Sequence, residues 1–230
     1  MGLDPRAAVR LVVVTHWDDD HIRGISETIE VCGEASVALS LALQQTDFLE
    51  LVMEEQQNAV GTGSGVDELR TVIRLSHRRR IWAKANTALY PRPPGDTPAV
   101  VALSPSDDSI ERGIMTLAEL AFRRPRVVGG RYRAPDRPNA ASVATFARAR
   151  THGLLLGADL EDSPNPAAGW QAVLDTAAPP EQSSLIKVPH HGSEDAHHDG
   201  VWETLVEDGA VAIVTSFLVT ATVADLSPPT

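Results

Sequence analysis

The stretch "THWDDDHIRG" (residues 15–24) places His16, Asp18, Asp19, Asp20 and His21 directly after the apolar run "LVVV". Carboxylates crowded into one loop raise one another's pKa, so such a loop is unfavourable unless a positive charge shares it. A divalent cation removes that cost. Two more apolar runs end in groups of the same kind: "LLLGADLED" delivers Asp159, and "LIKVPHHGSEDAHH" delivers His190 and His191. Imidazole nitrogen and carboxylate oxygen are donors of hydrolytic transition-metal centres, where a bound ion acidifies water and clamps developing charge. Each segment alone has a plainer explanation, with Asp18, Asp19 and Asp20 as the acidic cap of a helix and His190 and His191 as ordinary loop histidines. The three together favour one shared cation site.

These groups need elements to carry them. "RLVVVT" is β-branched and apolar, so it is expected to be an interior strand that runs into the acidic loop. Helical patterns are expected over residues 22–33, over 46–59 with Thr46 or Asp47 as the N-cap, and over "VDELRTVIRLSHRRR". The intervening "GTGSG" (61–65) is expected to be a linker and not a phosphate cradle, since no strand precedes it and no Lys-Ser/Thr follows. "AVVALSP" (99–105) predicts a strand ended by Pro105, and "SDDSIERGIMTLAELAF" a helix with an acidic first turn. Residues 124–140, rich in Pro, Gly and Arg, predict a long surface loop. Four short strands follow in "ASVATFARA", "THGLLLGAD", "SSLIKVP" and "GAVAIVTSF", with helices near 168–176 and 201–207. Strands mixed with helices in this way give an α/β layered domain, in which loops at strand ends converge on one site.

With its two histidine motifs in this order, the chain resembles the metallo-β-lactamase superfamily. "THWDDDHIRG" is similar to that family's His-x-His-x-Asp-His loop, with Asp18 where a second histidine is usual. "NAASVATFARARTHGLLLGADLED" followed by "LIKVPHHGS" resembles the branch that includes the hydrolase domain of DNA-uptake competence proteins and related phosphodiester- or phosphocholine-cleaving hydrolases. The resemblance runs from about residue 10 to 217. It implies an αββα sandwich and a hydrolase that uses metal-activated water on a phosphodiester or related ester. It makes His16 and Asp18 ligands of a first metal, Asp20 and His21 ligands of a second, and Asp159 the bridge between them. One of His190 or His191 completes the second site while the other serves the leaving group or orients a ligand. Asp20, in addition, orients the nucleophile. The implied cofactor is one or two divalent ions, zinc first; the oxygen donor at Asp18 brings in manganese and iron.

The chain departs from the family in three places. The separate histidine usual between the first loop and the bridging aspartate has no counterpart, because His77 and His152 have the setting of surface residues. Only about ten residues precede "LVVVT", where the family has several strands and an Asp-Gly segment, and residues 218–230 form an atypical tail. We therefore expect residues 1–230 to form a single domain of this fold without its first strands. The rival expectation is a non-catalytic remnant, or a subunit to which a partner chain supplies the missing strands. Other groups have plainer roles: Trp17 packs over the loop, Asn139 and Ser142 shape a turn, and Glu161 and Asp162 cap or face solvent. His197 and His198 are expected to be exposed.

Bulk properties bound these readings. The net charge of −11 disfavours long nucleic acid as a partner, so the expected substrate is a small-molecule or nucleotide-like ester. "RLSHRRR" (74–80) is expected to be a helix end, and Arg123, Arg124 and Arg126 are the remaining source of local positive potential. The sequence has no apolar run of bilayer length, "MGLDPRAAVR" lacks the apolar stretch expected of a secretory signal, and the single cysteine, Cys32, reads as a small buried residue. A cytoplasmic location without membrane association is the expectation.

Overall fold

The structure, a computed structural model, describes residues 2–16, 19–44, 64–90, 99–112, 138–177, 179 and 181–215. It is an α/β architecture built on two sheets. The first sheet is parallel, with order β1 (Leu11–Val14), β2 (Ser36–Ser40), β3 (Arg80–Ala83). The second is mixed, and its strands follow chain order: β4 (Ala88–Tyr90), β5 (Ala99–Ala102), β6 (Thr145–Ala149), β7 (His152–Leu156), β8 (Ser183–Lys187) and β9 (Val206–Ile213). Pairing is antiparallel from β4 to β7 and parallel from β7 to β9. Among the described residues, helices α1 (Pro5–Ala8), α2 (Asp19–Ile22), α3 (Ile25–Val31), α4 (Ser64–Ser76), α5 (Gly169–Thr176) and α6 (Asp199–Thr204) accompany these strands, and residues 107–112 are also helical.

Alternation along the strands divides the core into layers. Val12, Val14, Val37 and Leu39 point to one face of the first sheet, where they pack with Ile22, Ile29, Leu69 and Val72 of α2, α3 and α4. Their neighbours Leu11, Val13, Ala38, Ile81 and Ala83 point the other way and meet Leu89, Val100 and Ala102 of the second sheet. On the far face of that second sheet, Phe146, Leu155 and Ile186 pack against Trp170 and Val173 of α5 and Val201 of α6. A period of two thus feeds two cores from each sheet, and the alanines at the shared face let the sheets approach closely. The backbone N–H of Val143 donates to the carbonyl of Thr15 (2.9 Å), tying the exit of β1 to the entry of β6.

Most expected elements lie where the patterns put them, with tighter limits. The helix expected over 22–33 is α3, preceded by the short α2. Gly24 at its N-cap has no side chain to offer, and Glu68 of α4 instead accepts from the Ser26 N–H (2.8 Å). One expectation is corrected: Ser64 and Gly65 belong to the first turn of α4 and not to a linker, as small residues are tolerated where a helix starts. The strands β2, β3 and β4 were not foreseen. The helix expected over 46–59, the arginines 123, 124 and 126, and the tail 218–230 lie outside the described residues. Among the described residues no helix is long and apolar enough to cross a membrane.

The indole of Trp170 is fully buried, and its Nε1 donates to the carbonyl of Leu160 (2.9 Å), one residue beyond Asp159. Trp170→Ala is expected to cost about 3–5 kcal/mol through the cavity it leaves. Trp170→Phe is expected to cost about 1–3 kcal/mol, chiefly through the orphaned carbonyl. Urea unfolding of both variants checks this ordering.

Candidate metal centre

Three strand ends supply the site. The chain leaves β1 through Thr15 and His16 and turns into α2, whose first turn holds Asp20 and His21. Asp159 follows β7, and His190 and His191 follow β8, its parallel neighbour. Two hydrogen bonds clamp the last two loops together: the Gly157 N–H donates to the Lys187 carbonyl (3.1 Å), and the His190 N–H to the Ala158 carbonyl (3.0 Å). Gly157 has to be glycine here, since a Cβ would lie 2.9 Å from Cβ of Pro189. Ala158, His190 and His191 all adopt left-handed backbone conformations, at φ of 49°, 44° and 56°. Such conformations cost about 1–3 kcal/mol each in non-glycine residues and persist only where the surroundings impose them.

The result is a cluster of four donors, Asp20, His21, Asp159 and His191. Nε2 of His21 lies 3.0 Å from Oδ2 of Asp159, 3.3 Å from Nε2 of His191 and 3.5 Å from Oδ2 of Asp20. Nε2 of His191 is in turn 3.3 Å from Oδ2 of Asp20 and 3.6 Å from Oδ2 of Asp159. Nδ1 of His191 donates to the carbonyl of Thr215 (2.8 Å), an oxygen that only accepts. Its proton is therefore on Nδ1, and a neutral ring turns the Nε2 lone pair toward the Asp20 carboxylate. A single proton relieves only one or two of these contacts. A cation among the four donors relieves all of them.

The donor set passes a simple test of fit. Tetrahedral coordination at about 2.0–2.1 Å spaces the donor atoms about 3.3 Å apart. Five of the six separations run from 3.0 to 3.6 Å, and the sixth, between the two carboxylates, is within 4.8 Å. Asp159 is buried, and its second oxygen, Oδ1, accepts no hydrogen bond among the described residues, so the carboxylate has coordinating capacity left over.

The charges around the cluster are shaped by burial. Desolvation, with the neighbouring His21 adding to it, lowers the pKa of His16 to about 4 and keeps that buried imidazole neutral. The hydrogen bond to Asp159 raises the pKa of His21. Burial pushes Asp159 upward, but the His21 hydrogen bond and the charges of nearby His21, His16 and Lys187 outweigh it and hold the carboxyl below its ordinary value.

The other sequence candidates divide. Nε2 of His16 lies 3.8 Å from Oδ2 of Asp159, and its ring centroid is 4.3 Å from that of His21, so it borders the cluster. Asp18 and Trp17 lie outside the described residues. His190, expected as the alternative ligand, faces elsewhere: its Nδ1 donates to Oδ1 of Asp195 (3.0 Å) and lies 3.6 Å from Oε1 of Glu161. Two successive left-handed residues send their side chains in different directions, so only His191 turns to the cluster. Glu161, which also accepts from Asn139 Nδ2 (2.8 Å), therefore does more than face solvent. Sequence reasoning missed Asp195, Lys187 and Thr215, which carry no motif of their own. His77 and His152 are exposed as expected. His197 is exposed, but His198 is half-buried, caps α6 by accepting from the Gly200 N–H, and reaches Gln171.

No protein-family model matches the chain, and no curated protein matches it.

In the metal-free protein, an NMR titration is expected to show His16 with a midpoint near 4 and His21 above 6.5. The stability linked to His16 is present above pH 6.5 and is lost as pH falls toward 4, because the unfolded chain binds a proton that the fold refuses. His21 acts in the opposite sense, stabilising below pH 6.5 and losing that contribution as pH rises through its folded value. His16→Gln should accordingly reduce the acid-side loss measured by urea unfolding between pH 7 and 4.

Proposed function

We propose that the chain is a metal-dependent hydrolase with the αββα sandwich of the metallo-β-lactamase superfamily, acting on a phosphodiester or a related small-molecule or nucleotide-like ester. The observation that carries the reading is the closeness of the four donors, Asp20, His21, Asp159 and His191, whose donor atoms all lie within 4.8 Å of one another, five of the six pairs at 3.0–3.6 Å. The layered arrangement of helices, sheet, sheet and helices agrees with the proposed fold. The order of the two histidine motifs supports the competence-protein branch, and with it the ester substrate. A divalent ion, with zinc first and manganese or iron as alternatives, would supply an acidified water and positive charge opposite the developing negative charge of the ester.

The chain's own residues then divide the work. His21, Asp159 and His191 would hold the ion, with the Thr215 carbonyl orienting His191. Asp20 is the most exposed of the four and so stands where a ligand can also orient the attacking water. Asp195 accepts a hydrogen bond from Nδ1–H of His190, which leaves Nε2 of that ring to carry a proton to or from the ester.

A second reading, a partner-dependent subunit of the same fold, draws on β9. It is the outermost strand of the second sheet among the described residues, and it exposes Val211 and Ile213, with Val214 beyond them.

Purified protein loaded with zinc or manganese is expected to hydrolyse bis-p-nitrophenyl phosphate, and Asp20→Ala to lower kcat about 100-fold or more. His191→Ala is expected to abolish metal retention measured by elemental analysis, whereas His190→Ala retains metal and loses turnover. Metal-loaded, folded protein without turnover would favour the partner-dependent subunit. Protein that retains no metal would overturn the reading.

A further inference from the structure

Apart from the four-donor cluster, a second group of ligand-type side chains comes together in Glu161, His190 and Asp195. Nδ1 of His190 lies 3.0 Å from Oδ1 of Asp195 and 3.6 Å from Oε1 of Glu161, and the three donor atoms are all within 4.8 Å of one another. The proton on Nδ1 bonds to Asp195, and at 3.6 Å Glu161 is too far away to share it. Glu161 therefore turns an oxygen toward a nitrogen to which it makes no bond.

The backbone builds this placement. The His190 N–H donates to the Ala158 carbonyl (3.0 Å) and the Asp162 N–H donates to the Asp195 carbonyl (2.7 Å), so the loop after β7 is fastened beside both of the other donors. Behind Glu161 stands Asn139, only 8% exposed. Its Nδ2 donates to Oε1 of Glu161 (2.8 Å), and its Oδ1 has no hydrogen-bond partner among the described residues. A buried amide that aims a carboxylate is the outer support on which metal ligands rely. The side chains of Glu161 and His190 are 17% and 26% exposed and that of Asp195 is 55% exposed, which leaves an approach from solvent.

We propose that Glu161, His190 and Asp195 form a second divalent-cation site, which shares no donor with the cluster around Asp159. Donor atoms at about 2.0–2.1 Å from a tetrahedral ion lie about 3.3 Å apart, and the two separations from Nδ1 fall on either side of that value. An imidazole among the donors favours a transition ion such as zinc over magnesium. When the ion binds, the proton of His190 moves from Nδ1 to Nε2, and the freed lone pair and the Asp195 oxygen both become ligands. The proton-carrying use of His190 proposed above thus belongs to the protein with this site empty. With three protein donors, one of them exposed, the site binds more weakly than the cluster of four, and its ion is lost on dialysis.

The test is zinc binding to metal-free full-length protein, followed by isothermal titration and by the NMR signals of the His190 ring. Wild type is expected to show a weaker binding event that shifts those signals, and magnesium is expected to leave them unmoved. Glu161→Gln and Asp195→Asn keep the shape and remove a charge; each is expected to weaken that event at least about tenfold, a loss that even an outer partner of a ligand can bring. Glu194→Gln removes an exposed carboxylate beside Asp195 that is not part of the group, and is expected to stay within about twofold of wild type at about 0.15 M salt. His191→Ala is expected to keep the weaker event. Zinc that leaves the His190 signals unmoved would overturn the inference, and so would a loss in Glu194→Gln as large as that in Glu161→Gln, or disappearance of the weaker event in folded His191→Ala protein. The wild-type spectra decide even if a variant fails to fold. A His190 shift without any tighter ion supports this inference and removes only the metal-centre reading.

Discussion

Two carboxylates and two imidazoles have to be held with 3.0–3.6 Å between the donor atoms of five of their six pairs, and much of the local structure follows from that requirement. One of the imidazoles has its lone pair oriented by the Thr215 carbonyl. Left to local preference, such groups separate into water, where each is solvated. They stay together because the backbone beneath them is fixed by bonds that do not involve the donors, among them the pair joining Gly157 to Lys187 and His190 to Ala158. Left-handed backbone at Ala158, His190 and His191 is the cost of that arrangement, and the cation proposed above would offset part of the repulsion.

The fold supplies the fixed platform by bringing strand ends from both sheets together. Strands β7 and β8 are parallel neighbours, so their C-terminal loops emerge side by side and place Asp159 against His191. Strand β1 belongs to the other sheet, and its exit reaches the same point only because the sheets lie close, across a face built from Ala38, Ala83 and Ala102. Larger side chains there would widen the gap and draw His21 away from Asp159. The small inter-sheet residues and the polar cluster are therefore parts of one constraint, connected further by the Val143–Thr15 backbone bond.

Long apolar runs were legible in the sequence, and with them β1, β5, β6, β7, β8 and β9 and the strand-end position of every donor. Strands β2, β3 and β4 were not. "SVALS" is short and mixes small with polar residues, "RIWA" begins with an arginine in a basic run, and "ALY" is three residues long, so each takes its conformation from sheet neighbours more than from its own pattern. In the site, motif order pointed to Asp20, His21 and Asp159. It left open the choice between His190 and His191, since adjacent residues on a loop are distinguished by backbone dihedrals and not by type. Lys187 and Asp195 were invisible for a related reason: a lysine at a strand end and an aspartate in a polar loop are ordinary until tertiary structure sets them beside a buried carboxylate and a histidine.

Burial grades the site from floor to rim, and the grading separates holding from reacting. His16 and Asp159 are buried, His21 and His191 are intermediate, and Asp20 is exposed, as is Asp195 beside His190. Groups at the floor have lost their water and keep one charge state, which suits coordination and denies them proton exchange with solvent. Groups at the rim remain solvated and can pass protons. A centre graded the other way would expose its ligands to competing water and bury the groups that must exchange protons, so under the proposed function the position of Asp20, as the one rim residue that is also a donor, would link the two roles in a single site.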